Sequence, residues 1–233
     1  MVHLFWLAVA SIGPGLLWLW YFYRLDRYEP EPPRTIFKVF LGGILLVLPA
    51  GLLEQIWRPQ LLSSLNQNDW RGFLVLAFLV VALIEEGLKT GFLWWLLGRS
   101  RELDEPVDGV IYGITLGLGF ASLENFLWAS LFGFKVAVLR AVVTTLAHAA
   151  FSGWAGYYLT RYKLENQRLS VLGIGFLLAW ATHGFYDFCL LLQRPIGSLL
   201  AFLLVATMLW LLFRAIDDLV TNSPFRKIRP GDR

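Results

Sequence analysis

Cysteine is almost missing from this 233-residue sequence; Cys189 is the single example. One thiol excludes a disulfide framework, and with no C-x-x-C it also excludes a thiolate zinc site. Charge is scarce too. Asp, Glu, Lys and Arg make up 16% of the residues, against about a quarter in an ordinary soluble domain. The net charge of +3 is too small to point to nucleic acid. No H-E-x-x-H helix occurs and no Ser-His-Asp or Cys-His arrangement recommends itself, so Ser122 and Ser152 have no strong claim as nucleophiles.

What fills the chain instead is apolar: 57% of it is hydrophobic, with a mean hydropathy of +0.59. The apolar residues come in blocks close to the ~20 residues needed to cross a hydrocarbon core. Seven blocks are read, at about 3–23, 36–57, 72–98, 109–132, 138–160, 170–193 and 197–216. The expectation is an all-α, polytopic transmembrane bundle forming a single membrane-embedded domain over 1–233. The first block lacks the basic start of a signal peptide and is read as a retained span. Gly13-Pro14-Gly15 within it is the one place where a broken half-helix is conceivable.

Lys and Arg set the orientation. With the N-terminus outside, fourteen of them fall on inner segments, including Arg24, Arg27, Arg34 and Lys38 around the turn between the first two spans and the basic tail after Arg214. Five fall outside (Arg58, Arg71, Lys135, Arg140 and Arg194), and Lys89 lies within a span. This predicts a multi-pass protein of the cell membrane with a cytoplasmic C-terminus. The tail is expected to hold the last helix at the inner surface. Between spans one and two, Asp26-Arg-Tyr-Glu-Pro-Glu-Pro-Pro-Arg34 is an inner turn, because proline disfavours helix in the residue before it.

Ionisable groups inside spans are costly and mark functional sites by default. The third span carries Glu85, Glu86 and Lys89, the fourth Glu124 and Asn125, the fifth His148, and the sixth His183 and Asp187. Glu85 and Lys89 are spaced i,i+4 and can pair on one face. Glu86 then points about 100° away without a local partner, the setting of a general base. Asp108 ahead of the fourth span reads as an N-cap, and Gly113, Gly117 and Gly119 as sites of close helix packing. Such a set of charges at similar depth requires a polar, hydrated cavity.

Two chemistries fit that cavity. In one, a Glu and a polar neighbour hold the attacking water while a His or Asn stabilises the oxyanion. In the other, Glu86, Glu124, His148 and His183 hold one divalent metal such as zinc. The sequence leans towards no cofactor, since no H-E-x-x-H pair pre-organises two ligands and the Lys89 ammonium would repel a divalent ion unless it pointed away. An ion-coupled transporter, or a catalytically silent scaffold of the same fold, is the alternative to an enzyme.

The motifs in order resemble the PrsW family of intramembrane proteases, related to the type II CAAX prenyl protease group. The likeness runs through the Asp26-Arg-Tyr-Glu-Pro-Glu-Pro turn, E-E-x-x-K (Glu85, Glu86, Lys89) and D-G-x-x-Y-G (Asp108 to Gly113). It continues with F-x-x-x-E-N (Phe120, Glu124, Asn125), His148…Gly156 and H-x-x-x-D (His183, Asp187). The resemblance implies peptide-bond hydrolysis within or beside the lipid bilayer. Its substrate would be a membrane-anchored protein, such as an anti-sigma factor at its first cut. Glu85 and Glu86 would hold and deprotonate water, and Glu124 stands where the prenyl proteases have a histidine. His148 and His183 would complete the water, metal or oxyanion site, with Asp187 or Asn125 orienting a histidine.

Overall fold

The computed structural model describes residues 2–165 and 167–228. Among these residues the chain is helical and has no strand. The helices are α1 (Val2–Tyr23), α2 (Pro33–Glu54), α3 (Arg58–Gln67), α4 (Trp70–Val75), α5 (Leu83–Leu97), α6 (Asp108–Phe132), α7 (Phe134–Leu164), α8 (Leu169–Leu191) and α9 (Pro195–Thr221). Six helical runs are long and apolar enough to cross a membrane; they begin at Leu4, Pro33, Asp108, Phe134, Leu169 and Pro195. The seventh expected span is the run from Trp70 to Leu97, in which a π-helical stretch, Leu76–Ala82, joins α4 to α5. α1 passes through Pro14 unbroken. The Pro-rich turn ends where Pro33 starts α2, a position at which its missing N–H costs nothing. Arg229 and Arg233 of the basic tail lie outside the described residues.

Large apolar side chains point outward along the whole bundle, among them Leu17, Leu52, Trp95, Leu131 and Leu139. In water such a surface would drive aggregation; facing lipid it is the stable arrangement. This is a multi-pass membrane protein.

α6 is the most enclosed of the long helices. Lipid gives no hydrophobic drive between helices, so close packing through small residues takes its place. A methyl group at Gly109, Gly113 or Gly117 would collide with the α7 backbone at Gly156, Ser152 or His148, and one at Gly119 would strike Phe40 of α2. α6 is thereby wedged between α2 and α7. Gly133, at φ 90°, makes the sharp turn from α6 into α7. This conformation is one that residues with a Cβ rarely adopt.

Two local devices aim α5. Asp69 caps α4 by accepting hydrogen bonds from the Arg71 and Gly72 amides, each at 3.1 Å. The π-helical stretch then changes the rotation at which α5 begins, one turn before the Glu pair. The Trp180 indole of α8 donates to the Phe78 carbonyl in that stretch at 2.7 Å. This bond fastens α8 beside α5.

Candidate active site

Glu85, Glu86 and Lys89 on α5, His148 on α7 and His183 on α8 meet in the interior, each at most 4% exposed. The Lys89 ammonium lies 2.9 Å from Glu85 Oε2, 2.9 Å from Glu86 Oε1 and 2.9 Å from His148 Nδ1. The Phe120 ring covers it, with its centroid 3.9 Å away. Glu86 is therefore not without a local partner: the i,i+3 contact to Lys89 wins, because a long flexible lysine can bridge both carboxylates at once.

The two histidines are held differently. His183 sets Nδ1 2.8 Å from Glu86 Oε1 and Nε2 3.3 Å from Asp187 Oδ2, so a proton on either ring nitrogen has an acceptor. Its ring stacks on Phe151. His148 sets Nε2 2.9 Å from Glu124 Oε2. With the proton donated there, Nδ1 turns its lone pair to the centre.

Glu124 is thus placed behind His148 rather than among the converging donors. It is held by Arg140 Nη2 at 2.6 Å and by the Trp128 indole at 3.0 Å. Asn125 orients neither histidine; its amide donates to Thr145 Oγ1 and its carbonyl oxygen accepts from Arg140 Nε, both at 2.9 Å. Asp108 is not the N-cap. It is the first residue of α6, and its Oδ2 accepts from the Asp104 and Glu105 amides of the preceding loop, at 2.9 and 2.7 Å. The loop folds back over the helix end, so the carboxylate satisfies loop amides instead of helical ones.

Arg140 was read only as an outer charge. The i,i+4 series Arg140, Thr144, His148 on one face of α7 is the signal that marks it. Glu54, at the end of α2, also went unread. Its carboxylate feels the charges of Glu85, Glu124, Asp187 and His183, and its Oε1 is buried without a hydrogen bond.

Glu85, Glu86, His148 and His183 each offer a donor atom, and all four atoms lie within 4.8 Å of one another. Two carboxylate oxygens and two imidazole nitrogens suit a divalent ion such as zinc. Glu86 Oε2 is buried with no hydrogen-bond partner, an oxygen whose free lone pairs such an ion would satisfy. Carboxylate support behind His148 is the usual backing of a metal-binding imidazole. The donors come from three helices, so the objection raised by the missing H-E-x-x-H is met by the fold. Glu85 takes the place that the sequence reading gave to Glu124.

A multi-pass helical bundle with a buried carboxylate–histidine centre on α5, α7 and α8 is the framework of an intramembrane hydrolase. Residues 31–213 match the PrsW family of intramembrane metalloproteases. A protease PrsW from Geobacillus kaustophilus is 34% identical over 208 residues, covering 89% of this chain and 88% of its own. One from Shouchella clausii is 30% identical over 94% of this chain and 98% of its own. The Bacillus subtilis protease PrsW is 31% identical over 80% and 84%. No solved structure matches. The chain belongs to the PrsW family and is an intramembrane protease; the transporter and silent-scaffold readings give way to that assignment.

Proposed function

We propose that this protease hydrolyses a peptide bond of a membrane-tethered protein, such as an anti-sigma factor, at the centre formed by Glu85, Glu86, His148 and His183. The observation that carries the reading is the gathering of those four donors inside the bundle. Glu86 is the base: its buried Oε2 is free to accept a proton from the attacking water. His183 holds the other oxygen of Glu86 and is itself backed by Asp187. This pairing fixes the carboxylate and gives the imidazole a route to donate to the developing oxyanion or the leaving amine. With a divalent ion such as zinc held by the four residues instead, Glu86 and His183 would serve as ligands, and the ion would supply Lewis-acid polarisation of the scissile carbonyl and of the water. His148 and Glu124 keep the lone pair of Nδ1 aimed inward.

The whole chain, 1–233, acts as one membrane-embedded domain. Its N-terminus is outside and its C-terminus cytoplasmic, as the fourteen-to-five distribution of Lys and Arg supports. The test is cleavage of candidate membrane-anchored peptides, anti-sigma factors included, by the purified protein in detergent, with and without a strong chelator. Cleavage that is lost to chelator and restored by zinc supports the full reading. Cleavage indifferent to chelator removes the metal and leaves the Glu86–water chemistry. No cleavage of any anti-sigma factor removes that substrate class.

A further inference from the structure

Lys89 stands where a metal ion would have to be. Its ammonium has three protons, and three acceptors take them: Glu85 Oε2, Glu86 Oε1 and His148 Nδ1, each at 2.9 Å. Those acceptors belong to three of the four residues able to hold a divalent ion. A zinc-like ion would draw on the same two carboxylates and the same His148 ring, at about 2.0–2.2 Å. It cannot share them with an ammonium nitrogen already lying among them, because space and like charge both forbid it. The Phe120 face above Lys89 favours a cation but offers a metal no lone pair.

We propose that Lys89 is a built-in cation that competes with the divalent ion for the centre, so that the site exchanges between an ammonium-filled and a metal-filled state. The inference rests on the metal-centre reading above and concerns binding rather than turnover. In the ammonium-filled state Lys89 neutralises the buried carboxylates, and the fold stands without metal. On loading, the flexible lysine stem swings its charge out of the donor group. Without the lysine charge the empty centre becomes a cluster of unpaired carboxylates that needs a metal to be stable. Lys89 thus sets the metal affinity without being a ligand.

The experiment titrates cobalt(II), followed by its visible absorption and by competition with zinc, into full-length wild-type protein and Lys89→Leu in detergent. Thermal melts are recorded with and without the metal. Lys89→Leu is expected to bind cobalt about tenfold or more tightly than wild type, the size of effect that groups behind a metal's ligands exert. Its metal-free form is expected to melt below wild type and to regain that loss when cobalt is added. Equal or weaker binding by folded Lys89→Leu overturns the competition while leaving the metal centre in place. Absence of cobalt binding by both proteins overturns the metal centre and the competition together. If the leucine variant does not accumulate folded, Lys89→Gln, which keeps the polarity and loses the charge, is judged by the same outcomes.

Discussion

His183 Nδ1 and Glu86 Oε1 lie 2.8 Å apart, although the residues are 97 positions apart in sequence. The contact joins α8 to α5 inside the bundle, where both side chains are buried. It also divides one carboxylate: Oε1 is occupied by His183 and Lys89, and Oε2 has no hydrogen-bond partner. Removing either partner would release the carboxylate from its fixed direction.

Glu86→Gln keeps the shape and removes the basic oxygen. Cleavage of a membrane-anchored substrate should fall by at least about 10²-fold, the scale of a positioned general base. The variant should still accumulate in the membrane, because the glutamine amide can bond to both former partners. Near-normal turnover by Glu86→Gln would move the role of base to another residue.

The charge distribution predicts the topology. A reporter fused after Arg233 should be active only in its cytoplasmic form, and one fused ahead of Met1 only in its external form. The opposite pair of results would reverse every span, and with them the side on which the Pro-rich turn lies.

Much of this bundle was legible in the sequence because lipid imposes a simple rule: a stretch that crosses must be long, apolar and helical. The expected third span, 72–98, corresponds to the Trp70–Leu97 run, yet nothing in its apolar sequence announces the π-helical turn at Leu76–Ala82. That turn fixes the direction of the Glu pair, so the pairing of α5 with the histidines of α7 and α8 could not be read by counting residues along an ideal helix. Glu86 was the casualty. Its bond to His183 depends on where α8 sits, and α8 is held by Trp180 on the Phe78 carbonyl. The place of Glu124 was hidden for a related reason. Motif spacing puts it at the right depth, but only the packing of Arg140 shows that it supports His148 from behind.

Gly117 offers a packing test that removes no polar atom. A methyl group there would collide with the His148 carbonyl of α7. Overfilling a packed contact costs about 1–3 kcal/mol. Gly117→Ala should therefore melt at a lower temperature and lose activity more steeply than its stability loss alone would cause, because the displaced segment carries His148. Gly173→Ala, with open space around the new methyl group, is the control and should change neither measurement. Equal behaviour of the two variants would show that the α6–α7 spacing is not constrained at Gly117.

Arg140 holds Glu124 and Asn125 with separate nitrogens, Nη2 and Nε. Lysine carries the charge but not the planar fork, so Arg140→Lys can keep at most one of these contacts. Its stability should drop by on the order of 1–3 kcal/mol, the range for a charged hydrogen bond at a largely enclosed site. Activity should fall with it, since Glu124 would no longer fix the His148 ring. Full activity in Arg140→Lys would show that Glu124 needs no guanidinium to hold its place.

The cluster of buried carboxyl groups at the turn between α1 and α2 predicts how stability changes with pH. Asp26 and Glu31 of the turn between α1 and α2 are 2% and 3% exposed, and Glu105 of the loop before α6 is fully enclosed. Tyr112 of α6 donates to Glu31, Ser223 donates to Glu105, and the Tyr23 hydroxyl donates to the Glu31 carbonyl at 2.9 Å. Burial, followed by the charges of Glu105 and Asp108, raises Asp26 from 3.8 to about 7. Burial, followed by repulsion from Asp108, raises Glu31 from 4.5 to about 9, against the opposing pull of the Tyr112 hydrogen bond. Folded protein therefore holds these protons at pH values where unfolded chain has lost them. Their contribution to stability is fully present below the unfolded values and is lost as pH rises through the folded ones. For Asp26 the loss runs from about 4 to about 7, and for Glu31 it continues to about 9. The melting temperature of wild type in detergent should therefore fall between about pH 6 and about pH 9. Glu31→Gln has no proton to lose and can still accept from Tyr112, so its decline should be visibly shallower. Parallel pH profiles for the two proteins would show that the Glu31 proton plays no part in holding the turn between α1 and α2 to α6.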